Sequence, residues 1–189
     1  MERYRHVLVI GGTGMLAVAS RTLAGQCDVL TSVARTERSL RALDEAISRS
    51  GCTHHTLALD WSSPDAFLAA LTAHIKEVGA PSLVVAWLHH DRLGPEIARC
   101  VGASGAPCAF CQVRGSAAAN PAAHGDDLAT DERIPENVTY RQVILGFRLV
   151  DGGSRWLTHD EISDGVLAAI ADPQPVQVIG TVTPWERRP

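Results

Sequence analysis

The run Val7-Leu8-Val9-Ile10 passes directly into Gly11-Gly12-Thr13-Gly14, and Met15-Leu16-Ala17 then opens a segment of helical period that stops near Gly25. A short, uninterrupted apolar run is expected of a strand buried on both faces. Glycines placed immediately after it predict a turn too tight for side chains. Read as G-x-G-x-x-A from Gly12 to Ala17, this turn would bring backbone N–H groups up to a pyrophosphate, with the positive end of a helix behind them. Gly11, Gly12, Thr13, Gly14, Met15 and Leu16 are therefore the expected cofactor loop. Ala17 is the small residue that lets helix and strand pack closely.

The rest of the chain repeats the alternation of short apolar runs and helix-period segments that builds βαβ units around a parallel sheet. Strands are predicted over residues 7–10, 29–34, 54–60, 82–88, 108–113, 138–150 and 176–182. Leu40, Leu43 and Ile47 share one helical face, with Thr36 as N-cap and Gly51 as terminator. Ser62-Ser63-Pro64 starts another helix, ended by Gly79, and a shorter one falls between Asp91 and Gly102. Thr158-His159-Asp160-Glu161 matches a capping box and predicts a helix over about 159–171. Residues 115–137 are small, acidic and without period, so they predict a long loop with room for a short helix, of the kind that serves as an active-site lid. Residues 151–154 read as a turn, and 184–189 as an extended tail. The expectation is a Rossmann-type, doubly wound α/β fold, a mainly parallel sheet of about seven strands with helices on both faces, forming one domain over 1–189.

Composition narrows the partners. A formal charge of −4, spread without blocks of one sign, argues against nucleic acid or an anionic membrane. No apolar run approaches the ~20 residues of a spanning helix. Five cysteines and a polar start without an export signal predict reduced thiols in a cytoplasm. A small-molecule substrate is the expected partner, and a homo-oligomer is compatible with the sequence.

The end of the second strand refines the cofactor. An NAD site usually places an acidic residue there to accept from a ribose hydroxyl, whereas this chain reads Ser32-Val33-Ala34-Arg35. A guanidinium at Arg35 suits a 2′-phosphate, with Arg38 as a second contact, and predicts NADP (NADPH). Through Gly-Gly-Thr-Gly, the Ala34-Arg35 ending and Leu59-Asp60 closing the third strand, the sequence resembles the short-chain dehydrogenase/reductase superfamily. That resemblance implies that Asp60, with Trp61 beside it, meets the adenine. It also implies that Ala86 and Trp87, in Val85-Ala86-Trp87-Leu88-His89, stand where the family has Asn-Ala-Gly.

The family's Tyr-x-x-x-Lys relay is missing. Tyr4 and Tyr140 are the only tyrosines, position 144 is Ile, and the single lysine, Lys76, falls between the third and fourth strands. The chain is shorter than usual for the family, and the shortfall lies where the catalytic helix belongs. Replacements are sought at C-terminal strand ends. His89 or His90 follows the fourth strand as a proton donor, at most one facing the cofactor because adjacent residues on an extended segment point oppositely. Ser116 matches the place of the family's active-site serine, Arg114 could anchor an anionic substrate, and Tyr140 could line the site. Arg155 and His159 could reach the same cleft.

Metal chemistry is not expected. Cys108 and Cys111 lie three apart on a strand and so on opposite faces, and His54-His55 fails as a pair for the same reason. The sequence thus predicts an NADP(H)-dependent oxidoreductase of a small carbonyl or imine. A catalytically inactive NADP-binding sensor is the alternative, and an isomerase or dehydratase retaining its cofactor stays open.

Overall fold

The computed structural model describes residues 3–90, 92–120 and 131–189. Among the described residues nine strands are formed: β1 (Tyr4–Ile10), β2 (Cys27–Ala34), β3 (Thr53–Ala58), β4 (Leu83–Trp87), β5 (Cys108–Gly115), β6 (Val138–Leu145), β7 (Phe147–Val150), β8 (Gly153–Trp156) and β9 (Val176–Ile179). Seven of them make one sheet in the order β3-β2-β1-β4-β5-β6-β9, and every neighbouring pair is parallel. The helices are α1 (Ala17–Ala24), α2 (Glu37–Ile47), α3 (Pro64–Val78), α4 (Leu93–Gly102) and α5 (His159–Ala171). This is the doubly wound α/β arrangement the alternation of apolar runs predicts.

Two cores follow from the winding. Leu16 and Leu23 near and on α1, Leu43 and Ile47 on α2, and Ile162 and Val166 on α5 pack on one face with Val7, Val9 and Val85. Phe67 and Leu71 on α3, with Leu93 and Ile97 on α4, pack on the other with Leu8, Ile10 and Phe110. The helices change face between β1 and β4, paired through Ile10 and Ala86. Open sheets of this kind bind ligands at such a reversal, beyond the carboxyl ends of the strands.

The start signals act as their chemistry requires. Thr36 caps α2 by accepting from the Ser39 N–H, Pro64 opens α3, and Thr158 and Glu161 form the reciprocal capping box of α5. Cys108 and Cys111 do fall in opposite cores, and burial pushes each thiol up to about 12.

Several boundaries differ from the sequence expectation. Helix α1 begins at Ala17 instead of Gly14, because residues 12–16 are spent on the turn. The apolar stretch 138–150 is two strands, broken at Gly146, where a side chain would run into the Thr181 carbonyl. Beyond the break β7 leaves the sheet and pairs antiparallel with β8 as a hairpin. The last strand stops at Ile179, since Gly180 turns the chain with φ +79° and Thr181 bridges to Phe147 instead. The expected tail is folded: Trp185–Arg187 forms one 3₁₀ turn. Of the expected lid, Gly115 belongs to β5 and Ser116–Ala119 make a 3₁₀ turn, while 121–130 lie outside the described residues, as does Asp91.

A buried imidazole chain ties β1, β2 and α3 together. His6 Nδ1 is 2.8 Å from the Gly79 carbonyl, which can only accept, so Nδ1 carries the proton and Nε2 accepts from Thr31 at 2.9 Å. The Thr31 hydroxyl then accepts from His74 Nε2, also at 2.9 Å. The His55 ring meets His74 edge-on at 5.4 Å, and Glu77 lies within electrostatic reach of His74. Burial holds His6 and His74 below their ordinary value of 6.5; like charge among the imidazoles adds to this, and the Gly79 carbonyl (at His6) and Glu77 (at His74) oppose it. Because these folded values are lowered, their contribution to stability is complete above the unfolded value and is lost as pH falls through it. The denaturant midpoint should therefore drop between about pH 7.5 and about pH 5.5. A level midpoint across that window would mean that the chain charges freely in the folded protein.

Candidate functional site at the carboxyl edge of the sheet

The glycine turn lies flat on the strand ends because it has nothing to hold it away. Gly11 takes φ +78°, donates to the Val33 carbonyl at 2.8 Å, and a Cβ on it would come within 2.8 Å of the Trp87 carbonyl oxygen. A Cβ on Gly12 would sit 2.5 Å from Ser20 Oγ and 2.7 Å from Val9 Cγ1. The Ser20 hydroxyl lies 2.9 Å from the Gly12 carbonyl and 3.0 Å from that of Leu16, so α1 holds the turn from beneath. From α5, Ser163 donates to the Met15 carbonyl at 2.9 Å.

The outer side of the turn is open. Nothing lies within 4 Å of the point where a Gly14 side chain would begin. The residue before α1 is Leu16, whose side chain supplies no cap, and no acidic residue occupies the first turn. The Ala17 N–H is taken by the Gly14 carbonyl at 2.9 Å, and a helix start without a side-chain cap beside an open glycine turn is the kind of cradle that fits a phosphate.

Five side chains continue the edge across the neighbouring strands. Arg35, one residue past β2, places its guanidinium 5.0 Å from the centre of the Trp61 ring. The Asp60 carboxylate accepts from the Ser62 N–H at 3.0 Å, which is the main reason its pKa is lowered. His89 lies between two indoles, 5.7 Å from Trp61 and 5.8 Å from Trp87. Trp87 spans the switch point: its backbone abuts Gly11, and its ring tip is 3.8 Å from the Cβ position of Gly115. Ala34 and Ala86 are buried beneath this row, and Arg38 is exposed on the first turn of α2. The structure therefore gathers all the expected cofactor residues along one edge.

The expected reaction residues divide. Ser116 is buried at the end of β5, where its Oγ accepts from Arg188 Nε at 2.7 Å. His90 is exposed, and its carbonyl accepts from the Leu93 N–H at 3.0 Å as α4 begins. Arg114 is 9% exposed and donates to Gln142 Oε1 at 2.5 Å, so it lies within the fold and not on the cleft wall. Tyr140 is in the α3/α4 core, stacked on Phe110 at 4.7 Å, with its hydroxyl donating to Gln112 Oε1. Gly94 is what allows α4 to cover that pair, since a side chain there would strike both groups. Arg155 is committed to Glu161 at 2.7 and 3.0 Å, and His159 is the exposed first residue of α5. Arg188 and the hairpin indole Trp156, which Arg188 covers at 5.0 Å, were absent from the sequence expectation. The hairpin carries Trp156, and the turn at Trp185–Arg187 carries Arg188 to it.

A hollow of about 1000 Å³ lies at the opposite edge, lined by residues such as Tyr4, Gln26, Ser82 and Ile170. It contains no glycine turn and no uncapped helix start, and Arg3 within it is occupied by Asp28 at 2.6 Å and by the Gly25 carbonyl at 3.1 Å. The carboxyl edge is the better site on chemistry. Among the described residues no group of three or more His, Cys, Asp or Glu could hold a metal ion, and no helix is long and apolar enough to cross a membrane.

A doubly wound parallel sheet with a glycine turn at its switch point is a Rossmann-type α/β fold. No protein-family model matches the sequence, and no curated protein matches it. Among solved structures the chain is similar to a short-chain type dehydrogenase/reductase from Mycobacterium marinum, at 13% identity and TM-score 0.74 over 97% of this chain and 96% of that one. It is also similar to a metagenomic short-chain oxidoreductase in complex with NADP, at 19% and 0.67 over 94% and 96%. A short-chain dehydrogenase from Sphingobium yanoikuyae in complex with NADPH aligns at 16% and 0.68 over 96% and 91%. The chain has the short-chain dehydrogenase/reductase fold.

Substituting Gly12 with Ala tests the turn directly. The methyl group has to displace Ser20 or Val9, at a cost of about 1–3 kcal/mol, and thermal unfolding should register the loss. Wild-type stability in Gly12→Ala would show that the turn has slack.

Proposed function

We propose that the protein is an NADP(H)-dependent oxidoreductase acting on a small carbonyl or imine. The observation that carries this reading is the Arg35 guanidinium held on the Trp61 ring at the end of β2, on the same edge as the open glycine turn. A planar cation in that position can grip a 2′-phosphate with two charge-assisted hydrogen bonds, whereas a ribose hydroxyl would call for a carboxylate. Arg38 supplies a second positive charge one turn on. Asp60 and Trp61 would bound the adenine, and the start of α1 would take the pyrophosphate. NADPH, when bound, supplies hydride to an electrophilic carbon.

On the reaction side, Ser116 accepts from Arg188, so its own O–H is left to donate to a substrate oxygen. His89 stands exposed on the same edge and is the group we assign to deliver the proton, a role suited to imidazole near neutral pH. Support for a second reading, an NADP-binding sensor, comes from Tyr140 and Lys76. The one is sealed under α4 and the other is exposed at the end of α3, so they cannot form a relay.

Two substitutions test the assignment. Arg35→Glu should weaken NADPH binding by about tenfold or more while leaving NADH within about threefold. An unchanged preference would remove the phosphate contact. His89→Asn should lower kcat by about 10²-fold or more and alter its pH profile. An unaltered profile would give the proton to water, and absence of any NADPH oxidation across aldehydes, ketones and imines would favour the sensor.

A further inference from the structure

We infer that Arg188 binds substrate, and that the substrate is a short oxo acid with its carboxylate beside the carbonyl, an inference that rests on the oxidoreductase reading above. After Gly180 the chain is fixed to the hairpin by reciprocal backbone bonds between Phe147 and Thr181, at 2.8 and 2.9 Å. It then turns through Trp185–Arg187, and the Ser154 hydroxyl donates to the Arg187 carbonyl. These contacts deliver Arg188 to the end of β5. Its guanidinium carbon lies 5.0 Å from the Trp156 ring centre and 5.3 Å from that of Trp185, while Nε donates to Ser116 at 2.7 Å.

An arginine fixed in this way has its outer edge to spare. Among the described residues neither Nη group of Arg188 has an acceptor. Glu161, which anchors the hairpin to α5, is itself engaged by Arg155, Arg148 and the Thr158 N–H. The result is a planar, weakly hydrated cation flanked by indoles, whose free fork matches a carboxylate in geometry. Nε occupies a lone pair of Ser116 and leaves the hydroxyl hydrogen available. A donor for a carbonyl oxygen therefore sits beside a fork for a carboxylate, with the tip of Trp87 next to them over Gly115. A neutral ketone would use only the first of these groups; an oxo acid uses both.

The reaction balances as a two-electron reduction. The carbonyl π bond breaks, a C–H bond forms with the hydride of NADPH, which becomes NADP⁺, and the oxygen takes one proton from His89. The product is the hydroxy acid.

The test is isothermal titration of the full chain with 2-oxobutanoate and 3-oxobutanoate, each against its methyl ester, with and without NADP⁺. In the presence of NADP⁺, wild type should bind at least one of the two acids about tenfold or more tightly than its ester. Arg188→Gln should abolish that preference and leave NADP⁺ affinity within about twofold, and Arg188→Lys should keep part of the preference. The inference is overturned if neither acid binds wild type better than its ester, if neither binds at all, or if Arg188→Gln retains the difference. Failure of NADP⁺ to bind would remove the cofactor reading alone, because the comparison of acid and ester on the free protein still decides the role of Arg188.

Discussion

The arrangement of the carboxyl edge depends on a side chain that is not there. With only hydrogen at Gly12, the turn can rest against Val9 and let one hydroxyl, that of Ser20, bridge the Gly12 and Leu16 carbonyls. That contact sets the height of α1 over β1, and Ser163 extends it to α5 through the Met15 carbonyl. Gly11 does the same toward β4, where the Trp87 backbone closes against it. Two adjacent glycines thus bring the strands on either side of the switch point to a common level, and the uncapped start of α1 is left facing outward.

From that level the edge divides into two halves with different origins. The half around the glycine turn is assembled from successive strand ends: Arg35 after β2, Asp60 and Trp61 after β3, Trp87 and His89 at and after β4. Each is placed by the strand before it, and the rings touch in sequence from guanidinium to indole to imidazole to indole. The half next to β5 is assembled from distant pieces. Ser116 comes from β5, Trp156 from the hairpin and Arg188 from a turn 72 residues beyond the serine. No helix with a tyrosine and a lysine intervenes among the described residues.

This division also explains what could be read from the sequence. The winding and the placement of residues along the glycine-turn half of the edge were legible because each depends on local pattern: apolar runs, and glycines after a strand. The break at Gly146 was not, because its cause is the Thr181 carbonyl, 35 positions away and brought close only by the fold. The same holds for the burial of Tyr140. Thr139, Arg141 and Gln142 beside it on the strand give no sign of a sealed position, and its partner Gln112 is revealed only by the β5–β6 register. Arg114 looked like a site residue for being a cation past a predicted strand end at Val113, yet β5 runs on through Gly115 and carries Arg114 into the interior beside Gln142. Arg188 left no local signal beyond Trp185 three positions before it, and its other indole, Trp156, is brought up only by the hairpin.

Glu161 serves two masters. It completes the capping box of α5 and also holds Arg155 and Arg148 of the hairpin, and those bonds keep its carboxyl well below the usual carboxylate range. Its charge therefore persists into more acidic solution than that of an ordinary carboxylate. The hairpin that presents Trp156 is consequently moored to α5 by an attachment that resists acid but is exposed to counterions, since such surface pairs weaken as salt shortens the range of their attraction. Ionic strength, acting through these pairs, is the solution variable that would loosen the hairpin side of the cleft.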